Sequence, residues 1–588
     1  MKSPFTINVV LFMLSILFAV NANAGTYWVH PSGSAAWNNC LSETDPGAGN
    51  YCSLGSANSN ATAGDTIILK SGEYSTTIAP GGSGSNINQR IIYQKAPGEE
   101  EPLFNNLNTP IDLGNRSWIK VDGVNIQNAQ GYSASLQNYS SYNEITNCKF
   151  SDSANFMIRG MCSGGGFTCN AKHNWVHNNL FENMAGSSSA CGEGGDALRL
   201  GGPWVDNGED DYNTIEDNTF IGGGHGLIDS YGFHYAVIRN NVGRNNPWNP
   251  DPGSGPCGGR TPVYTNTDWN NKWGHRGFQI GFTYAGDRSY SLVEGNRLGY
   301  QSTNAGNMGD SNLSIAGRGM LVRYNSSFGA MRMGMYFKYV NYANNSLGGS
   351  DSRVYNNTVW NSGYGYEGSG IAPTRRVAVT YDEYADAHTE NHVRNNIFYL
   401  GQDGTFDKSM TSLFYFDNNW CTSSGDGCTK YGNPLFNDAV QTDIYISAYA
   451  EAMATRPDLR LQATSPAIDG GIHLTTTTNA GNNVTNLSVS DALFFQDGSW
   501  GSDLARGDTL FPDWIAIGTV SNVVQISSIN YSTNTITLAS PMNWGSGDRV
   551  WLYKKSDGKR VLYGSAPDYG AYPYVSISPP GRLKIIRP

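Results

Sequence analysis

The chain has 588 residues, a formal net charge of −11 and only 15% charged side chains, yet it carries 71 glycines. An acidic balance with no long run of Lys or Arg excludes a general nucleic-acid binder, because neutralising phosphates requires clustered cations. Few charges and many glycines favour frequent turns over long surface helices.

Residues 1–24 read as a secretory signal. Lys2 is their only charge, Val9 to Val20 is an almost unbroken apolar run, and Ala22-Asn23-Ala24 precedes Gly25 as a small-residue cleavage site. That run is shorter than the roughly 20 residues needed to cross a bilayer, so a secreted (periplasmic or extracellular) monomer without a transmembrane segment is expected. Nine cysteines suit an oxidising compartment. Cys40/Cys52, Cys162/Cys169 and Cys421/Cys428 are close enough to pair locally, and Cys191 with Cys257 makes a fourth candidate bridge. Cys148 is left over as a buried thiol.

From residue 118 onwards one phrase recurs: an apolar residue, two variable positions, Asn, then an apolar residue two positions later. It occurs at Val176/Asn179/Phe181, Ile215/Asn218/Phe220, Ile238/Asn241, Val293/Asn296/Leu298, Val322/Asn325, Val354/Asn357/Val359, Val393/Asn396/Phe398 and Phe416/Asn419. The shortest step between asparagines is 23 residues and the others are longer, so one step reads as one coil plus insertions. Ile145/Cys148 and Val121/Val124 extend the phrase upstream with the Asn replaced. Two short strands are expected to meet at each Asn, whose side chain takes a left-handed bend and bonds to its equivalent in the next coil. A third strand precedes each phrase, as in 196–200, 226–230, 278–283, 313–316, 335–340 and 377–382, with Leu198/Leu200, Ile280/Phe282 and Val377/Val379 turned inward.

These features predict an all-β fold: a right-handed parallel β-helix over residues 25–474, with three strands per coil, eleven or more coils and an N-terminal cap. About ten of those coils are expected between 118 and 420. The repeat resembles that of the pectate-lyase-like right-handed β-helix superfamily. The opening, Tyr27-Trp28-Val29 and Gly64-Asp65-Thr66-Ile67-Ile68-Leu69 with Ser71-Gly72-Glu73-Tyr74, is similar to that of secreted bacterial members. Ser465-Pro466-Ala467-Ile468-Asp469-Gly470-Gly471 and Ala566-Pro567-Asp568-Tyr569-Gly570-Ala571-Tyr572 resemble closing phrases that such proteins carry close together, but here a long insert separates them. The insert alternates as strands at 522–529, 535–539 and 549–553, so residues 475–563 are expected to form a small β-domain capping the last coils, followed by a closing segment, 564–588.

The resemblance places a cleft on the outward face of the third strand, where alternation puts Arg199, Asp229, Gln279, Ser314, Lys338, Thr380 and Asp382. The longest insertion, 246–277, runs into one of these strands. It holds Trp248, Arg260, Tyr264, Asp268, Trp269, Lys272, Trp273, His275 and Arg276, a mixture suited to stacking on sugar rings and pairing with acidic groups. Gly195-Asp196-Ala197-Leu198-Arg199-Leu200 and Gly224-His225-Gly226 resemble polygalacturonase-type strands, which implies Asp196 and Asp229 as a hydrolytic carboxylate pair. The second Asp of that family's strand is Ala197 here. β-Elimination from a uronate needs its carboxylate neutralised and a base for the α proton; Arg199 or Arg276 suits the first role, and Lys338, Lys272 or His234 the second. His225, Asp229, Tyr231 and His234 crowd one coil. Asp206, Glu209, Asp210 and Asp211 form an acidic stretch that is a candidate calcium loop. The sequence reading is an acidic-polysaccharide lyase, with hydrolase, uronate epimerase or non-catalytic glycan-binding surface protein as alternatives.

Overall fold

The computed structural model describes residues 24–154, 156–160, 171–182, 196–200, 211–221, 226–231, 234–244, 276–282, 288–299, 311–330, 333–338, 349–362, 377–381, 390–401, 404–406, 414–425, 428–439 and 457–575. Three parallel sheets run the length of a β-helix. The first has 13 strands from Thr26–Val29 to Phe414–Asp417, the second 13 from Glu73–Tyr74 to Cys428–Tyr431, and the third nine from Ile111–Asp112 to Val379–Tyr381. Neighbouring strands come from successive coils, and parallel crossovers of this kind wind right-handed. Ten strands of the first sheet lie between Ile119–Asp122 and Phe414–Asp417, as the Asn spacing requires. The central residue of each first-sheet strand points inward, so Ile145, Val176, Ile215, Ile238, Val293, Val322, Val354 and Val393 form a continuous column in the core. Each such side chain contributes about 1.5–3 kcal/mol by leaving water. On the second sheet Phe150, Phe181 and Phe220 stack at 5.0 and 4.7 Å.

All eight asparagines occupy one buried column. From Asn179 to Asn396, each Nδ2 and each backbone N–H donates to Oδ1 of the next asparagine, at 2.8–3.1 Å. Each Nδ2 also donates to a carbonyl of the preceding coil, as Asn218 does to Val176 at 2.9 Å, so the buried ladder amides are paired. The left-handed residue is not the ladder Asn but the one before it: Asn178, Asp217, Asn240, Gly295, Tyr324, Asn356, Asn395 and Asn418, with φ of 50–70°. The bend therefore turns the chain, and the Asn that follows fills the corner.

The corner between third and first sheets has its own left-handed column: Trp118, Tyr142, His173, Tyr212, Tyr235 and Tyr290, with φ of 46–61°. Positive φ is unfavourable for bulky residues. Here successive rings stack at 4.3, 4.5, 4.9, 4.9 and 5.5 Å, which offsets the backbone cost with ring contact.

Residues 475–554 supply a six-stranded antiparallel sheet. It flanks the middle coils instead of capping the last ones, because its apolar side packs on Trp175, Val237, Leu292, Leu321 and Tyr355, which face outward from the first sheet. Ser502 donates to Thr214, and the end of the aromatic column meets Trp500 and Tyr531. The next outward column of the first sheet is charged and alternates: Glu216, Arg239, Glu294, Arg323. Arg239 donates to Glu216 at 2.5 Å, and Arg323 donates to Glu294 at 2.7 Å and bidentately to Asp513 of the docked sheet. Thr509, Lys555 and Ser556 complete the network. Burial would raise Glu294, but Lys555 and Arg323 outweigh it and hold its carboxyl at about 2.

The two closing phrases, distant in sequence, meet in space: Tyr569 N–H donates to Ala467, Gly471 N–H to Pro567, and Asp469 N–H to Asp568. Disulfides join Cys40 to Cys52 and Cys421 to Cys428, and Cys148 is a buried free thiol pushed up to about 12 by burial. The signal segment up to residue 23 and the Cys162/Cys169 and Cys191/Cys257 pairs lie outside the described residues. Among the described residues, no helix is long and apolar enough to cross a membrane.

Candidate functional site

The third sheet aligns its strands with Ala134, Ile158, Leu198, Ile228, Phe278, Leu313, Met335 and Val379 in register. One residue further along each strand is the polar column Ser135, Arg159, Arg199, Asp229, Gln279, Ser314, Tyr336 and Thr380. This column is not a solvated face: Asp229 is 1% exposed, and Ser314 and Thr380 are fully buried.

Its chemistry concentrates on four coils. Arg199 Nη2 lies 2.7 Å from an oxygen of Asp196 and 2.7 Å from an oxygen of Asp229, so those oxygens are separated by at most 5.4 Å, twice that distance. Arg159, one coil back, is in direct register with Arg199. Both cations lie over Phe156, with the Arg159 guanidinium 4.9 Å and the Arg199 guanidinium 5.0 Å from its ring. Arg159 also lies 5.0 Å over the Tyr132 ring, and its Nη1 donates to Tyr132 Oη at 2.6 Å. Burial lowers the Arg159 pKa, Tyr132 opposes this, and the charge of Arg199 lowers it further. Like charges on adjacent coils, mostly withdrawn from water, cost stability unless they serve a ligand.

Several of the residues expected from the sequence meet here and others do not. Asp196, Arg199 and Asp229 form one cluster. Lys338 follows the strand Met333–Phe337, four coils from Arg199, or about 19 Å at the usual strand spacing, with Tyr336 in the column itself. The two cannot act on one bond. His234 sits at the corner between third and first sheets, where its N–H donates to Asp211 and its carbonyl accepts from Asp211 and Tyr212. It is thus a corner residue, not part of the column. Arg276 and Gln279 belong to the strand Arg276–Phe282, opposite Gly226 and Asp229. Tyr231 ends the strand Gly226–Tyr231. His225, Trp248, Arg260, Tyr264, Asp268, Trp269, Lys272, Trp273, His275 and Asp382 lie outside the described residues, as do Asp206, Glu209 and Asp210. Tyr132, Phe156 and Arg159 were not anticipated; the signal for Arg159 was present, since it stands in the same place in its strand as Arg199.

Of the candidate calcium loop only Asp211 is among the described residues, where it is buried and accepts from the His234 N–H. Among the described residues no group of three His, Cys, Asp or Glu side chains converges. Between Asp196 and Asp229 the Arg199 guanidinium itself supplies the bridging positive charge.

No family model matches this chain, and no curated protein does. Solved structures do resemble it. A pectate lyase shares 16% identity over 78% of this chain and 94% of its own, with a TM-score of 0.40. A mannuronic-acid-specific family 6 polysaccharide lyase from human gut microbiota shares 12% over 71% and 88%, TM-score 0.40. A family 136 lacto-N-biosidase from Eubacterium ramulus shares 12% over 65% and 66%, TM-score 0.40. The fold is a parallel β-helix of three sheets. The reaction has to be argued from the site.

Proposed function

We propose that this protein is a secreted lyase that cleaves a uronate-containing polysaccharide by β-elimination on the third sheet. The observation that supports it is the pair Arg159 and Arg199, two guanidinium groups on adjacent coils, both over Phe156. A uronate carboxylate seated on this pair would have its charge neutralised, so the negative charge that develops when the α proton leaves spreads into a group already held by cations. Guanidinium is suited to the task because its planar fork meets a carboxylate bidentately. The disulfides and the signal-like start agree with export.

Hydrolysis is favoured by one observation, the Asp196 and Asp229 oxygens within 5.4 Å of each other, a separation that includes retaining pairs at roughly 5–5.5 Å. Against it, the Arg199 guanidinium sits between the two carboxylates, donating to Asp229 and ion-paired with Asp196, and so occupies the space that a substrate bond would need. The test is a panel of polygalacturonate, alginate and chondroitin sulfate, read by absorbance of unsaturated ends and by reducing ends. A lyase raises both together; reducing ends alone would establish hydrolysis, altered uronate stereochemistry without cleavage epimerisation, and retention on immobilised glycan without either a binding protein.

A further inference from the structure

Tyr132 stands two residues before Ala134, the first residue of the strand Ala134–Ser135, one coil below Arg159. Among the described residues its hydroxyl is held by Arg159 alone: Nη1 donates to Oη at 2.6 Å, and the guanidinium lies 5.0 Å over the ring. Having accepted that bond, Oη keeps its own proton and remaining lone pair for another partner. Tyr132 is also half-buried, whereas Phe156, Arg159, Asp196 and Asp229 are each buried, so it is the aromatic of the cluster that keeps contact with solvent. The charged group that touches it is Arg159, on whose own charge Arg199 and Asp196 act, and Asp229 pairs with Arg199.

From this geometry we infer that Tyr132 Oη is the catalytic group that moves the proton, an inference that rests on the lyase reading above. In its ionised form Oη accepts the proton from the carbon α to the uronate carboxylate. The C–H electron pair becomes the new C=C bond, the β C–O bond breaks with its pair passing to the departing oxygen, and Oη hands its proton to that oxygen. The tyrosine ends as it began, and no further reactant is consumed. Arg159 serves twice, neutralising the substrate carboxylate and stabilising the charge on Oη through the hydrogen bond.

The experiment uses the full chain with polygalacturonate and alginate. Tyr132→Phe should lower kcat by about 10²- to 10⁴-fold with KM changed little, the range expected for loss of a positioned acid–base group. In the wild type kcat should rise with pH through a single ionisation, absent from the residual activity of Tyr132→Phe. Replacing Tyr132 with 3-fluorotyrosine, a stronger acid of nearly the same shape, should move that limb to lower pH. A purely positioning role would instead raise KM and leave the limb in place in both variants, which overturns the inference. A wild type that yields unsaturated product together with a Tyr132→Phe that retains kcat overturns the role of Tyr132 alone; a wild type that yields none on either glycan overturns the lyase reading and this role with it.

Discussion

The first and third sheets each carry an outward column in which arginines meet carboxylates of neighbouring coils, and the two columns differ in order. On the first sheet the signs alternate, Glu216, Arg239, Glu294, Arg323, and the docked antiparallel sheet closes over them with Asp513, Lys555 and Ser556. On the third sheet Arg159 is followed directly by Arg199, cation against cation, with Asp196 and Asp229 each 2.7 Å from Arg199 and Asp196 also acting on the charge of Arg159. Alternation neutralises each charge against its neighbours along the column, whereas adjacent like charges with perturbed titration mark candidate sites. Under the proposed lyase function, the first column supports the fold and the third meets the substrate.

The largest stability effect belongs to the first sheet. Arg323→Met should cost about 3–5 kcal/mol in urea unfolding, because Asp513 then remains buried without its cation and Glu294 is left with its Lys555 ion pair. Activity per folded molecule should stay within about twofold of wild type, because the substitution lies on another face of the helix. A cost under about 1 kcal/mol would mean that the docked sheet does not depend on this network.

Arg159→Gln is the counterpart on the third sheet. It should lower kcat/KM at least about 100-fold, near 2.7 kcal/mol of transition-state stabilisation, while relieving repulsion with Arg199 and leaving Tm almost unmoved. Arg199→Ala is a poorer probe, since it strands Asp196 and Asp229 in the interior. Lys338→Ala, four coils away, should leave kcat unchanged and affect KM only with long chains.

Asn296→Ala should cost about 1–3 kcal/mol, measured by thermal melting, because the Asn241 amide and N–H lose their acceptor in a buried column. An uncovered part of the first sheet gives the smallest effect. There burial would raise Glu144, but His177, Arg90 and Lys120 together bring it down to about 2. Because its folded value lies below the unfolded value of roughly 4.3, this carboxylate contributes stability that is complete above that value and is lost as pH falls towards 2. Glu144→Gln should flatten the acid limb of a Tm-against-pH curve in that window. His392, brought down to about 4 chiefly by burial and then by Arg353, loses its contribution earlier, as pH falls from about 6.5 to 4.

Much of the solenoid was legible because its repeat depends on a few contacts that tolerate little variation. A ladder Asn must satisfy two donors of the coil below and cap a carbonyl, so eight positions kept the residue despite steps of 23 to 55 residues. The bend residue was less visible, since any side chain that accepts a positive φ will do, and Asn, Asp, Gly and Tyr all appear. The aromatic corner column was legible in principle: Trp118, Tyr142, His173, Tyr212, Tyr235 and Tyr290 each stand three places before the inward residue of the next strand. The docking of residues 475–554 along the flank was not legible, because Trp175, Val237, Leu292 and Leu321 read as ordinary variable positions until something covers them. At the site, Arg199 and Asp229 are legible from strand alternation and Asp196 from the polygalacturonase-like phrase, whereas Arg159 stands on a strand of two residues, too short to show alternation, and Tyr132 precedes its strand.

The most direct test of a working third sheet beside a closed first sheet is kcat/KM and Tm for Arg159→Gln and Arg323→Met, measured side by side on whichever uronate glycan the wild type cleaves. The expected result is a crossed pattern: Arg159→Gln loses activity and keeps its Tm, and Arg323→Met loses Tm and keeps its activity. Arg159→Gln with full activity would contradict the placement of the site on the third sheet.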